Sequence, residues 1–404
     1  MPALTWLDSS SAARQRTMEI IKLFEEKGTV DEIGIGTVRD AISDVLFPGT
    51  STLHTRARYF LIIPWLYRYL EGKQVPSAEI TQAARKLEGE LIEKIIESGD
   101  AEGVIGKRAR ARLKILPSTM YWSGTEAWGV RTYPGSKDQY HRSLTRFYGR
   151  VNGGSRDDDR NPLDGAPTRN WHAGLPVPPD GFPKKPLGFT LTKEEAEYLR
   201  DRLMIRCSGT LLAHLVDVCR PAPEAEFVWE HPEFAGFPER NKGQLLHARN
   251  FSEAIYGAAL LYNILLAEAK EQEEWLADHR EEFKEWASDV SGRLGDLKAW
   301  SRADFWTLVT RQNPRISTST RMFIDRWLDL VLAGPPARLA TDKGARLLIT
   351  DRERLIKGRL ARLQNQAALG QWLGSSGLLR LSYRWNPEVR RVAADIQEGL
   401  GRDA

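Results

Sequence analysis

SAEITQAARKLEGELIEKIIESG, residues 77–99, decides the fold class. Ile80, Ala84, Leu87, Leu91 and Ile95 recur at steps of three and four. That spacing lines one stripe of a 3.6-residue helix and leaves the charges on the other side. Ser77 stands where a helix cap belongs, and Gly99 follows the end.

The same signals extend outward in both directions. Towards the N-terminus, Thr37 to Phe47 reads as a short helix closed by Pro48-Gly49, and Thr50 or Ser51 caps another through YFLIIPWLY, residues 59–67. Ser10 or Ser11 caps a first helix carrying Met18, Ile21 and Phe24. Towards the C-terminus the pattern breaks from Val104 to Val130, where short apolar pieces among Gly, Pro and Ser read as a small β wing, a hairpin or an irregular loop. Ser136 to Tyr148 is helical again. Residues 161–190 then hold seven Pro and four Gly, too many for regular structure, while Trp171, Phe182 and Phe189 argue that the stretch docks in part. Thr192-Lys-Glu-Glu195 spells a capping box ahead of a helix over 193–219. Ser252 opens a central helix, apolar almost throughout to Ala267, and the acidic 268–289 segment keeps Leu276, His279, Phe283, Trp286 and Val290 on one face. Further helices are expected over 302–312, 319–332, 343–369 and 388–398. The expected fold is mainly α, with an N-terminal helical, basic domain over 1–150, a Pro/Gly-rich linker or surface excursion over 151–190, and a C-terminal helical domain over 191–404.

Composition narrows the class. The 404 residues, 41% apolar and 28% charged, suffice for buried cores without staples. The thirteen Trp are expected chiefly as core or interface anchors. Two cysteines, Cys207 and Cys219, are too few for a disulfide scaffold and fit buried thiols in a reducing cytosol. With His214 between them they are the one candidate metal cluster, though a single helix would turn Cys219 well away from the other two. The first residues, MPALTWLDSSSAARQR, lack the apolar core of a signal peptide, and the longest apolar runs fall short of a bilayer span. A cytoplasmic protein with no membrane partner is the expectation.

Net charge is only +4, but it is unevenly placed. Residues 107–150 carry ten Lys/Arg against two acidic residues, and 338–391 carry twelve against four. Residues 268–289 carry nine acidic and three basic. Such separation offers a basic face to a polyanion. GKRARARLK places Lys107, Arg108, Arg110, Arg112 and Lys114 close together, and Arg142, Arg146 and Arg150 form an i, i+4, i+8 stripe. Arginine suits phosphate because its planar fork bonds two oxygens at once. Tyr121, Trp122, Tyr133 and Tyr140 lie among these cations as candidate base-stacking rings. STLHTRARYF, residues 51–60, admits a helix-turn-helix reading in which Thr52, His54, Thr55, Arg56 and Arg58 reach DNA; its alternative is an ordinary core helix.

Chemistry has no comparable signature. Asp157-Asp158-Asp159 sits in a Gly-rich loop, and Glu282-Phe-Lys284 has a nuclease spelling but falls on a helix. GIGTVRD follows no strand, and there is no Walker A, Gly-x-Ser-x-Gly or His-Glu-x-x-His. No catalytic residue, metal or cofactor is therefore assigned from the sequence.

Gly28–Tyr67, LPSTMYW at 116–122, Gln139-Tyr-His141 and LSYRWNPEVRR at 381–391 together resemble an uncharacterised bacterial family, a domain of unknown function. The resemblance implies a place beside helicases and phospholipase-D-like nucleases in phage-defence gene sets, and brings no catalytic residues with it. The expected function is a non-enzymatic nucleic-acid-binding subunit of a bacterial anti-phage defence or restriction complex, with DNA and a helicase or nuclease subunit as partners. The alternatives are a protein scaffold that anchors such a partner through its tryptophans, and a divergent metal-dependent nuclease with dispersed ligands.

Overall fold

A computed structural model describes residues 31–153, 169–376 and 380–402. The chain is mainly helical, with fifteen α-helices and no strand among the described residues. It divides into two compact units, each drawn from separate stretches: one from residues 1–42 and 243–383, the other from 43–242 and 384–404. The expected helix at Met18–Phe24 and the Asp157–Asp159 run lie outside the described residues.

The second of these units holds the basic run. Its helices begin as α1 (Gly36–Leu46) ends, and continue with α2 (Tyr59–Gly72), α3 (Ile80–Glu97), α4 (Pro117–Ala127), α5 (Lys137–Gly153), α6 (Lys193–Arg206) and α7 (Leu211–Val218). α2 is buried from Tyr59 to Tyr67, so it is a core helix rather than a groove reader. Thr50 and Ser51 do not cap it; their hydroxyls bond Phe47 O and Leu53 N within the turn. The irregular 104–130 region resolves into turns, a 3-10 turn over Arg110–Arg112 and α4. The isolated bridge among the described residues, between Arg131 and Trp171, lies just past it. The described part of the Pro-rich stretch is docked: Trp171, Leu187 and Phe189 are buried, and Trp65 Nε1 donates to Pro176 O at 2.7 Å.

The 193–219 segment breaks into α6 and α7 at Cys207, because Gly209 takes φ +72° there and Thr210 opens a new cap on Ala213 N. Residues 384–402 complete this unit through α15 (Arg390–Leu400). Asp395 on that helix accepts from both Arg56 and the Ala57 amide.

The other unit is built on α8 (Glu239–Ala269), buried almost without interruption from Ala254 to Ala267. α8 starts thirteen residues before Ser252, because its polar first turns carry no apolar stripe to mark them. α9 (Glu273–Gly292) buries Leu276, His279, Phe283, Trp286 and Val290, as its periodicity requires. Gly257 makes that packing feasible: a Cβ there would sit 2.2 Å from the Trp286 ring. Around them lie α10 (Leu294–Ala299), α11 (Arg302–Gln312), α12 (Thr318–Leu332), α13 (Lys343–Lys357) and α14 (Gln366–Gly370). The expected 343–369 helix stops at Gly358, whose φ of +52° ends the helical path.

The described tryptophans are buried apart from half-buried Trp275. They are core anchors, and among the described residues no tryptophan is fully exposed. No described helix is long and apolar enough to cross a membrane.

Candidate nucleic-acid interface

The two basic regions behave differently. In 338–391 many of the cations are spent internally. Arg362 pairs with Glu32 at 2.8 Å, Lys357 with Glu32 and Glu353, Arg346 with Glu268, Arg354 with Asp351, Arg384 with Asp44 and Arg391 with Glu102. Arg352 is buried and donates to Ile33 O at 2.9 Å and Thr320 Oγ1 at 2.9 Å.

In 107–114 the cations point outward. Val104 and Ile105 are buried, and the Ile105 amide donates to Tyr59 Oη at 3.1 Å, which pins the start of the run. Gly106, at φ +84°, lets Leu113 fold back over it; a Cβ would lie 2.7 Å from Leu113 Cδ2. Lys107, Arg108, Arg110, Arg112 and Lys114 are all exposed as a result. Arg110 pairs with Glu93, whereas Lys107, Arg108, Arg112 and Lys114 make no ion pair among the described residues.

The second cationic string comes from α5. Ser136 and Gln139 cap it reciprocally, with Ser136 N donating to Gln139 Oε1 at 2.8 Å and Gln139 N to Ser136 Oγ at 3.2 Å. Tyr140, Leu144, Phe147 and Tyr148 form its buried face, so Arg142 and Arg146 are exposed and Arg150 is half-exposed.

The first two turns of α3 lie between the strings. Thr81 Oγ1 meets His141 Nδ1 at 3.0 Å, and just before the helix Ser77 bonds Thr145 Oγ1 at 2.8 Å and Arg142 O at 3.1 Å. One turn on, Arg85 donates to Leu113 O at 2.9 Å. Exposed Arg85 thus joins the Arg142 stripe to the 107–114 run. Ser77 serves this junction rather than capping α3.

Arg56 and Arg58 are placed elsewhere. Arg56 donates to both Asp395 oxygens, at 3.1 and 3.0 Å, and to Asp100 at 3.3 Å. Arg58 is buried, bonded to Glu195 Oε1 and Gly188 O at 2.7 Å each. His54 is stacked on Tyr121 with centroids 4.0 Å apart, and Thr55 donates to Gly103 O. The helix-turn-helix spelling is therefore a core corner with internal arginines. The candidate stacking rings are internal as well: Tyr121, Trp122 and Tyr140 are buried, and half-buried Tyr133 packs on Tyr140.

Sequence reasoning missed a cleft of about 290 Å³ lined by Arg68, Glu71, Phe147, Arg169, Asn170, Trp171 and His172. Glu71 accepts from Tyr140 Oη at 2.5 Å, Asn170 Nδ2 at 2.9 Å and Trp171 Nε1 at 3.2 Å, and burial raises its pKa. Arg202 bonds His172 Nε2 at 2.8 Å, and burial together with that guanidinium lowers the imidazole pKa. Arg68 and Arg169 are exposed at the same cleft. They stand 101 residues apart, so no local pattern links them.

Among the described residues, one group has metal-ligating potential: Cys219, His231 and Glu233. The candidate Cys207–His214–Cys219 set, to which the sequence assigns no metal, is not brought together: α6 ends at Arg206 and α7 starts anew at Leu211.

No curated protein and no solved structure matches the chain. A family described as being of unknown function, DUF6361, matches residues 1–398. The match covers the α2 core, the basic run, the QYH turn of α5 and the RWNPEVRR stretch entering α15. The chain belongs to that family of unknown function.

Proposed function

We propose that this chain is a nucleic-acid-binding subunit that grips the phosphate backbone through the basic face formed by 107–114, Arg85 and the Arg142–Arg146 stripe. One observation carries the reading: Lys107, Arg108, Arg112 and Lys114 are exposed with no ion pair among the described residues, while many cations of the C-terminal block are paired. A clustered cationic surface gains from releasing the counterions of a polyanion. With Tyr121, Trp122 and Tyr140 buried, this face has few rings to stack on bases. The contact is therefore to phosphate, without sequence readout and without preference for single strands. The resemblance to chains found beside helicases and nucleases supports placing such a subunit in a DNA-directed defence assembly.

The test is anisotropy of labelled single- and double-stranded DNA over a salt series. A folded Lys107→Glu, Arg108→Glu, Arg112→Glu variant is expected to bind at least tenfold more weakly and to lose about three units of salt slope, one per phosphate contact. Arg110 is left in place because it holds Glu93. Affinity at low salt equal to that of the parent removes this face from the interface.

A further inference from the structure

The loop joining α7 to α8 brings together three different ligand types. Cys219 is the residue after α7, and His231 and Glu233 sit in the turns before α8. Cys219 and His231 are buried and Glu233 is half-buried. Sγ of Cys219, a ring nitrogen of His231 and a carboxylate oxygen of Glu233 all lie within 4.8 Å of one another. Tetrahedral zinc with bonds of about 2.0–2.3 Å needs its ligands roughly 3.3–3.8 Å apart. A contraction of about 1 Å closes the set onto one ion.

Local bonds orient the donors. The Arg220 amide donates to Glu233 Oε2 at 3.0 Å, and the Glu233 amide donates to His231 Nδ1 at 3.1 Å, a bond that ligation of an ion at Nδ1 replaces. The His231 ring also bonds the Arg220 backbone, the kind of outer contact that fixes a ligating imidazole. Phe237 packs on His231 with centroids 5.4 Å apart, and Trp385 at 6.1 Å. These bonds alone give an ordinary polar turn. The charge balance points further: Glu233 has no ion pair with Lys or Arg among the described residues, yet it stands against a buried thiol. A thiol, an imidazole and a carboxylate with no ion pair among the described residues thus bring converging donor atoms together. The S, N, O set matches the borderline preference of zinc rather than that of magnesium or calcium.

We propose that Cys219, His231 and Glu233 bind one Zn²⁺ per chain, with the fourth position open to solvent beside Glu233. The metal displaces the thiol proton and braces the 219–233 loop against the end of α7. This site is independent of the basic face.

Metal content of the purified full-length chain, and its titration with Co²⁺ after chelation, test the proposal. One equivalent of zinc and a thiolate-to-Co²⁺ charge-transfer band are expected. The band should vanish in Cys219→Ser and persist in Cys207→Ser, whose thiol lies outside the cluster. His231→Asn and Glu233→Gln should each weaken the metal at least tenfold. His214→Ala should retain it, because His214 is not one of the three grouped ligands. A parent chain that takes up Co²⁺ with no thiolate band, or not at all, overturns the site without relying on any variant. A band that survives Cys219→Ser overturns it equally.

Discussion

His54 shows at single-residue scale how packing reverses a local spelling. STLHTRARYF looks polar, and its histidine looks available to a ligand. In the fold its ring stacks on Tyr121 at 4.0 Å, meets Phe60 edge-on at 5.3 Å and bonds Met120 O at 3.1 Å. Tyr121 is 67 positions away, so nothing in the ten-residue stretch announces the burial. Burial pushes the ring down to about 4; the Met120 carbonyl opposes the shift and the Arg384 charge adds to it. A depressed histidine stabilises the fold above its unfolded pKa, near 6.5, and that contribution drains away as pH falls towards the folded value. Between pH 7.5 and 5 the loss from this one ring is about 2 kcal/mol. Buried acids such as Glu71 and Glu88, whose pKa values burial raises, act in the opposite direction, so a difference measurement is needed. In urea unfolding, the stability gap between the parent and His54→Gln should shrink by about that amount between pH 7.5 and 5. A gap that stays constant with pH would show that the ring is not held neutral.

Helices were legible where the sequence carries its own punctuation. Residues 302–312 match α11 at both ends, because Ser301 caps Asp304 N at 3.2 Å. Boundaries went astray where one glycine with positive φ divides a periodic run, as at Gly209 and Gly358. The capping box before α6 is legible and also carries a tertiary role that is not. Thr192 Oγ1 accepts from Glu195 N at 3.2 Å, and Glu195 Oε2 accepts from Thr192 N at 3.1 Å. The other Glu195 oxygen takes Arg58 at 2.7 Å, with both side chains under a tenth exposed. The two halves of the box should therefore differ in worth. Thr192→Ala removes one cap bond and is expected to cost about 1 kcal/mol. Glu195→Ala also leaves a buried guanidinium without its carboxylate, which costs on the order of 3–5 kcal/mol. Equal costs in denaturant unfolding would mean that Arg58 finds another partner and that the buried pair is not what holds α6.

At the scale of the whole molecule, the least legible feature is that 384–402 belongs with residues 43–242. Composition places a boundary at the Pro-rich stretch, because composition reads along the chain. The compact units are set by contacts that return across hundreds of positions. Trp385 donates to Ala225 O at 2.9 Å, Gln397 donates to Leu215 O and Cys219 O at 2.8 and 2.9 Å, and Asp395 takes the Ala57 amide at 2.8 Å as well as Arg56. Each of these could be found only by knowing the fold. Asp395 joins α15 to the turn before α2, so its loss should be felt at that turn rather than along α15, whose backbone bonds remain. Asp395→Ala deprives the Ala57 amide of its acceptor and leaves Arg56, largely buried, with Asp100 at 3.3 Å and the Glu102 carbonyl at 3.2 Å. The expected cost is on the order of 3 kcal/mol. Hydrogen exchange should quicken most at Ala57 and the first turn of α2, with protection across Ala254–Ala267 unchanged. If the amides near Ala57 keep their protection in the variant, residues 384–402 are an appendage to that unit and not one of its structural members.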